Sequence, residues 1–203
     1  MFSAGEAREY LDGEIRDGQI EVRMSGTGGQ GLILAGIILA EAAMSEGKNV
    51  LQSQSYGPES RGGASKAEVI ISDRTIHFPE VVRPDILLVM SQPACDRHCG
   101  DVRGAGIQIL DTYYVHEYPP GPGRVYTIPI SQLARKELGA EIYANIVGLG
   151  VLQAITGIVG AESLESAVAA RVPPKTIEQN SRALRLGMAA GAGAKPFAGV
   201  AGG

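Results

Sequence analysis

Ser25 is followed by Gly26-Thr27-Gly28-Gly29-Gln30-Gly31, a G-x-G-x-x-G spacing. Glycine lets a backbone turn tightly and approach a ligand, and the N–H groups that open a following helix attract an anion. Gly26, Gly28, Gly29, Gln30 and Gly31 are therefore candidate contacts for a phosphate or another anion. A dinucleotide site would add an Asp or Glu at the end of the next strand to take the ribose hydroxyls, and this chain has Gln52 and Gln54 there. A P-loop would add a Lys followed by Ser or Thr, and Leu32 stands in the lysine's place. The competing reading is packing, in which the glycines only let a helix lie close against a sheet. Both readings stay open.

A second glycine-rich stretch carries Tyr56, Gly57, Pro58, Glu59, Ser60, Arg61, Gly62 and Gly63. Arg61 could form paired hydrogen bonds to a carboxylate or phosphate, or an internal pair with Glu59. Gly, Pro and Arg together shape a fixed surface feature better than a flexible link, so the loop is expected to face a partner or an active site. Cys95, His98 and Cys99 fall within one helical turn, but a metal site needs more donors than that face supplies. They are expected to be structural, and no metal is assigned. His77 and His116 sit in turns without a Ser or Cys in a nucleophile setting, so no catalytic residue is assigned.

The elements that must position these groups follow from periodicity. Ile20, Val22 and Met24 alternate with Glu21 and Arg23, which predicts a strand running into the glycine turn. A helix is expected over 30–45, closed at Gly47. Strands are expected at 49–55, 66–71, 86–90, 107–110 and 125–128, with a short helix over 93–99 starting near Ser91 and another capped by Ser131. Residues 113–123 carry three prolines and read as loop. Beyond them only helices are expected, over 141–159, 163–171 and 175–190, packed on the sheet. The helices at 30–45 and 146–159 are apolar on nearly every face, which fits burial either within a thick core or against another subunit. This order predicts an α/β protein with an open, mainly parallel, Rossmann-like doubly wound sheet and C-terminal helices. The domain spans 19–187, with a polar arm at 1–18, read as mobile or as a short frayed helix, and a Gly/Ala-rich tail at 188–203, expected to be disordered.

Composition narrows the function classes. The net charge of −4 and the lack of basic runs argue against nucleic acid. Neither apolar stretch reaches the ~18–20 residues that cross a bilayer, and the charged start lacks a signal-peptide core. Two cysteines are too few for a disulfide framework, so a cytoplasmic protein without membrane contact is expected. Its 28 glycines are about twice the usual ~7% share, which implies tight turns and close backbone approaches.

Several stretches taken together carry a resemblance. They are the segment from Ser25 to Gly31, Ser55 through Ser65, Glu68 to Asp73, Pro84-Asp85, Ser91-Gln92-Pro93-Ala94, Asn145 to Gly150, and Asn180. In order and spacing over 20–187 they resemble the gamma subunits of 2-oxoacid:ferredoxin oxidoreductases, and among them most the 2-oxoglutarate members. Pyruvate, branched-chain 2-oxoacid and indolepyruvate enzymes are the alternatives within the family. A stand-alone nucleotide-binding module is the alternative outside it.

The resemblance implies a complex that oxidatively decarboxylates a 2-oxoacid to acyl-CoA, with thiamine diphosphate, Mg2+, iron–sulfur clusters and coenzyme A serving the complex and ferredoxin taking the electrons. Alpha and beta subunits are the implied partners. This chain lacks a Gly-Asp-Gly and Asn-Asn pairing for thiamine diphosphate, and a [4Fe–4S] cluster needs four thiolates where it has two cysteines. It is therefore expected to bind none of these alone and to be inactive by itself. The glycine turn or Arg61 would at most touch a coenzyme A phosphate.

Overall fold

The computed structural model describes residues 18–55, 64–119 and 123–197. Six strands form one sheet in the order β2-β3-β1-β4-β5-β6. They are β1 (Gln19–Thr27), β2 (Asn49–Ser55), β3 (Ala64–Ser72), β4 (Ile86–Val89), β5 (Ile107–Asp111) and β6 (Arg124–Ile128). β1, β4, β5 and β6 run parallel, while β3 is antiparallel to both β1 and β2. The open, mainly parallel α/β sheet is as expected, with one difference. β2 does not lie beside β1, because β3 returns between them, so the first strand-helix-strand unit is not a direct nucleotide-binding crossover. Alternation shows which face a residue takes, but it is blind to strand direction.

Among the described residues six helices accompany the sheet: α1 (Leu32–Ser45), α2 (Gln92–His98), α3 (Ile130–Leu138), α4 (Ala144–Thr156), α5 (Ala161–Arg171) and α6 (Ile177–Ala192). The main core lies on one face, where Val22, Met24, Val69, Ile86, Leu88 and Ile109 meet α1, α3 and α4. On the other face Leu87, Val89 and Leu110 meet Ala94, Cys95 and Cys99 of α2 in a smaller core. α4 buries all but two of its residues, so its all-round apolar character is explained by core burial; α1 buries eight of fourteen but leaves Ile33, Leu34 and Ile37 half-buried and Met44 exposed, so core burial accounts for only part of its apolar surface.

α6 packs across α4 rather than on the sheet. The crossing depends on glycine: a Cβ on Gly150 would lie 2.2 Å from the Leu184 carbonyl oxygen, and one on Gly187 2.0 Å from that of Val147. α6 therefore runs past the expected boundary at Gly187 to Ala192, and the chain continues to Phe197, whose N–H donates to the Val125 carbonyl. Residues 198–203, like the arm at 1–17, lie outside the described residues. The cap expected at Ser131 is also different. α3 starts two residues earlier, at Ile130 with Pro129 in the cap position, and the Ser131 N–H is taken by the Asp111 carboxylate at 3.1 Å. Asp111 is fully buried at the end of β5 and also accepts from the Tyr113 N–H. Burial raises its pKa against the pull of those donors.

Next to α2, the second face is ionic. Arg23 donates to Glu68 at 2.7 Å and to the Val81 carbonyl at 2.6 Å, and Lys66 also reaches Glu68. At the amino end of the same face Asp85 accepts the Glu21 N–H at 2.8 Å and pairs with Arg103. Burial pushes the Asp85 carboxyl up to about 6, although hydrogen bonding to Glu21 and the Arg103 charge oppose the shift. A raised folded-state pKa means that the native chain holds this proton more tightly than the unfolded chain. The stabilisation is complete below the ordinary carboxyl range and is lost as pH rises through about 6. A shift of that size corresponds to about 3 kcal/mol. The urea midpoint of the wild-type chain is expected to fall between about pH 4 and 6, and Asp85→Asn is expected to flatten that fall; parallel profiles would contradict the assignment.

Candidate functional site

The glycine turn joins β1 to α1 at the carboxyl end of the parallel strands, where open α/β sheets bind ligands. Thr27 is in register with Ala64, and Ser55 with Lys66. Both ends of the 56–63 loop therefore open beside the turn. The described residues that flank the second stretch, Ser55 and Ala64, thus lie at the same end of the sheet as the glycine turn. Tyr56, Gly57, Pro58, Glu59, Arg61, Gly62 and Gly63 themselves lie outside the described residues.

Within the turn the five candidate residues divide. Gln30 folds back, so that its Oε1 accepts the Thr27 N–H at 2.8 Å while its Nε2 donates to the Met90 carbonyl at 2.8 Å. A Cβ on Gly26 would strike Gln30 Oε1 at 2.1 Å. Gly26 is thus glycine because a side chain of this protein occupies the space that its own Cβ would need. Gly31 has φ 74 and a Cβ there would meet Asn145 Nδ2 at 2.6 Å, the same atom that donates to the Gly31 carbonyl. These two glycines serve packing. Gly28 and Gly29 are different: both are exposed and nothing lies within 4 Å of a Cβ built on either.

Gln30 ties the turn to the end of β4. Replacing it with Glu keeps an acceptor for Thr27 but loses the donor to Met90, and sets a carboxylate against that carbonyl. Gln30→Glu is expected to cost about 1–3 kcal/mol, read as a lower urea midpoint with an unchanged slope.

Beside Gly29 the chain presents an apolar projection. Ile142 is 78% exposed in the 3-10 turn Glu141–Tyr143, and with Gly29, Gln30, Glu141 and Ala144 it lines a shallow cavity of about 200 Å3. A clamp holds it there. Glu141 accepts from Tyr114 Oη at 2.6 Å and from Arg135 Nε at 2.6 Å, and the Arg135 guanidinium lies 5.0 Å from the Tyr113 ring centre. The bond to Glu141 raises the Tyr114 pKa, which keeps its proton in place as a donor. Sequence reasoning missed this clamp, because its members lie far apart along the chain and follow no motif. Gln30 and Asn145 fell within noted motifs, yet nothing in them shows that their amides fill the glycine spaces.

Cys95 and Cys99 are fully buried on α2, with sulfurs 2.7 Å apart, and His98 is 7% exposed and bonded to Asp101. Burial lowers the His98 pKa, and the sulfur contact lowers that of Cys95 while raising that of Cys99. Among the described residues no group of three or more His, Cys, Asp and Glu is placed to hold a metal ion.

The model of the pyruvate ferredoxin/flavodoxin oxidoreductase family matches residues 21–190, taking in the glycine turn, the 56–63 loop and the α4–α6 crossing. The chain belongs to that family. The 2-oxoglutarate synthase subunit KorC of Methanocaldococcus jannaschii is 46% identical to it over 170 residues, 82% of this chain and 91% of its own length. The ketoisovalerate oxidoreductase subunit VorA of Methanothermobacter thermautotrophicus is 36% identical over 173 residues, 83% of this chain and 36% of its own. The crystal structure of the keto/oxoacid ferredoxin oxidoreductase gamma subunit from Geobacter sulfurreducens superposes with a TM-score of 0.78 at 46% identity, covering 85% of this chain and 98% of that one. Within the oxidoreductase family the chain is thus a gamma-type subunit of a 2-oxoacid:ferredoxin oxidoreductase, and its similarity to KorC exceeds that to VorA.

Proposed function

We propose that the chain is an accessory subunit of a cytoplasmic 2-oxoglutarate:ferredoxin oxidoreductase, inactive alone, whose carboxyl-end surface docks against the alpha and beta subunits that carry the reaction centre. The observation that carries this reading is the pairing of two bare glycines with an exposed Ile142. Gly28 and Gly29 permit a partner backbone or a bound cofactor to approach closely, and Ile142 supplies an apolar anchor with polar neighbours around it. Ser55 and Ala64, which flank the 56–63 stretch, lie at the same end of the sheet. The reading gives Arg61 a role against a partner carboxylate or a coenzyme A phosphate.

The donor chemistry of this chain supports a division of labour. Its two cysteines are half of what a [4Fe–4S] cluster requires, and they sit buried against each other in α2. At the glycine turn Gln30 already occupies the space beneath Gly26. The residues present do not fit a resident cluster; ferredoxin would be met through the complex. No helix among the described residues is long and apolar enough to cross a membrane.

A tagged chain is expected to co-purify with larger thiamine- and cluster-binding chains. Ile142→Asp is expected to weaken that capture at least about tenfold, the equivalent of ~1.4 kcal/mol, without lowering the stability of the isolated chain. Capture unchanged by Ile142→Asp would move the interface elsewhere. Capture of no such chains by the unaltered protein would overturn the assignment.

A further inference from the structure

The two edges of the sheet are finished differently. β6 opens with Arg124, and the Phe197 N–H takes the Val125 carbonyl, so the returning chain covers part of that edge. β2, at the other edge, has no such cover among the described residues: no backbone hydrogen bond reaches Asn49–Ser55 from outside its pairing with β3. A bare edge invites another strand, and proteins that must stay single blunt it with a charge, a proline or a bulge. β2 has none of these. Its residues, Asn49-Val50-Leu51-Gln52-Ser53-Gln54-Ser55, are uncharged and free of proline, and they pair with β3 one to one along the whole strand.

An apolar stripe runs beside this edge. α1 lies over β3 and β2, since a Cβ on Gly36 would come within 4 Å of Ala67 and Gln52, whereas α4 lies over β4, where a Cβ on Gly148 would meet Leu88 at 3.1 Å. The main core therefore flanks α1 on the α4 side, where Ala35 and Ala42 are buried. Ile33, Ile37 and Met44 recur at helical spacing on the opposite flank, the one above the free edge. Ile33 and Ile37 are half-buried and Met44 is exposed. Charges beside the strip are paired within the chain, Glu41 with Arg171 and Lys48 with Asp73.

A partner for this surface must offer an uncharged strand edge and, on the same face of its sheet, an apolar helix. A second copy of this chain offers both. A two-fold axis perpendicular to the sheet sets β2 antiparallel to itself and keeps α1 of both copies on one face. With the axis at the middle residue, Gln52, the cross-strand pairs are Gln52 with Gln52, Leu51 with Ser53 and Val50 with Gln54, and none sets like charges opposite each other. Neighbouring strands lie about 4.8 Å apart, which puts the two α1 helices roughly 10–14 Å apart. Ile37 follows Gly36, the residue above Gln52, and so stands near the axis.

We propose that two copies of this chain join through β2 and the stripe of Ile33, Ile37 and Met44, making one sheet that continues across the axis. The two carboxyl-end surfaces then point in opposite directions, and each meets its own partners.

Sedimentation equilibrium of the purified full chain is expected to show a dimer in the micromolar range. Amide exchange at 49–55 should slow as protein concentration rises, because free edge N–H groups gain partners only in the dimer. Ile37→Glu and Ile37→Lys should each raise the dissociation constant at least about tenfold. Mixing these two variants should restore the dimer, since position 37 of one copy faces that of the other. Met44→Glu, at an exposed site, should weaken the dimer by a smaller factor, and it decides the matter if the Ile37 variants do not fold. A chain that stays monomeric, exchange at 49–55 independent of concentration, or a dimer indifferent to these substitutions would overturn the proposal. So would a monomer whose Ile37→Glu form is no longer captured by the other subunits, which would assign the surface to them.

Discussion

Gly28→Arg is expected to leave the isolated chain as stable as before, within about 0.5 kcal/mol, and to reduce capture and turnover of the assembled enzyme at least about tenfold. The first half follows from the space around the residue. Gly28 is exposed, lacks the positive φ of Gly29 and Gly31, and has nothing within 4 Å of a Cβ. The second half follows from the proposed docking. A long cationic side chain on a surface that must meet another chain closely both blocks the approach and forces desolvation of a charge. Urea titration of the purified variant beside capture by the other subunits separates the two. A complex of normal yield and activity would show that Gly28 faces solvent in the assembly.

Gly187→Ala is expected to do the reverse, damaging the fold before any interface. Alanine in a helix interior ordinarily gains up to about 1 kcal/mol over glycine. Here the new methyl would lie 2.0 Å from the Val147 carbonyl oxygen, and backbone of α4 cannot swing aside as a side chain would. α4 and α6 must separate, opening the layer that covers Ile146, Val147 and Leu184. Overpacking of this kind costs about 1–3 kcal/mol, so against the propensity gain the net loss is expected to be about 2 kcal/mol, read as a lowered urea midpoint with assembly lost in parallel. Gly150→Ala meets the Leu184 carbonyl at 2.2 Å from the other side and should behave alike. An unchanged or raised midpoint for both would contradict the close crossing.

Much of this was legible in the residues, and the gaps have physical causes. Alternating Ile20, Val22 and Met24 against Glu21 and Arg23 located β1 and its two faces correctly. The same alternation at 66–71 located β3 but could not show that it runs backward between β1 and β2, because side-chain period is independent of strand direction. The glycine turn was located, and its division into packing glycines and bare ones was not. That division depends on Gln30 and Asn145, which reach it from α1's approach and from α4. Glycine and alanine near the C-terminus read as a tail with nothing to bury, whereas Gly187 and Gly191 are the close-contact face of α6 against α4. A small residue with nothing to bury and a small residue that lets a backbone approach are the same letter. Ser131 looked like a cap by type, but the carboxylate that caps α3 comes from Asp111 on β5, twenty residues earlier.

The most direct test recombines purified chains. Ferredoxin reduction with 2-oxoglutarate and coenzyme A is measured for this chain alone, for the thiamine- and cluster-binding subunits alone, and for the mixture. No reduction by this chain alone and full turnover only in the mixture are expected. Turnover of a 2-oxoacid by the solitary chain would contradict the claim that it contributes through assembly.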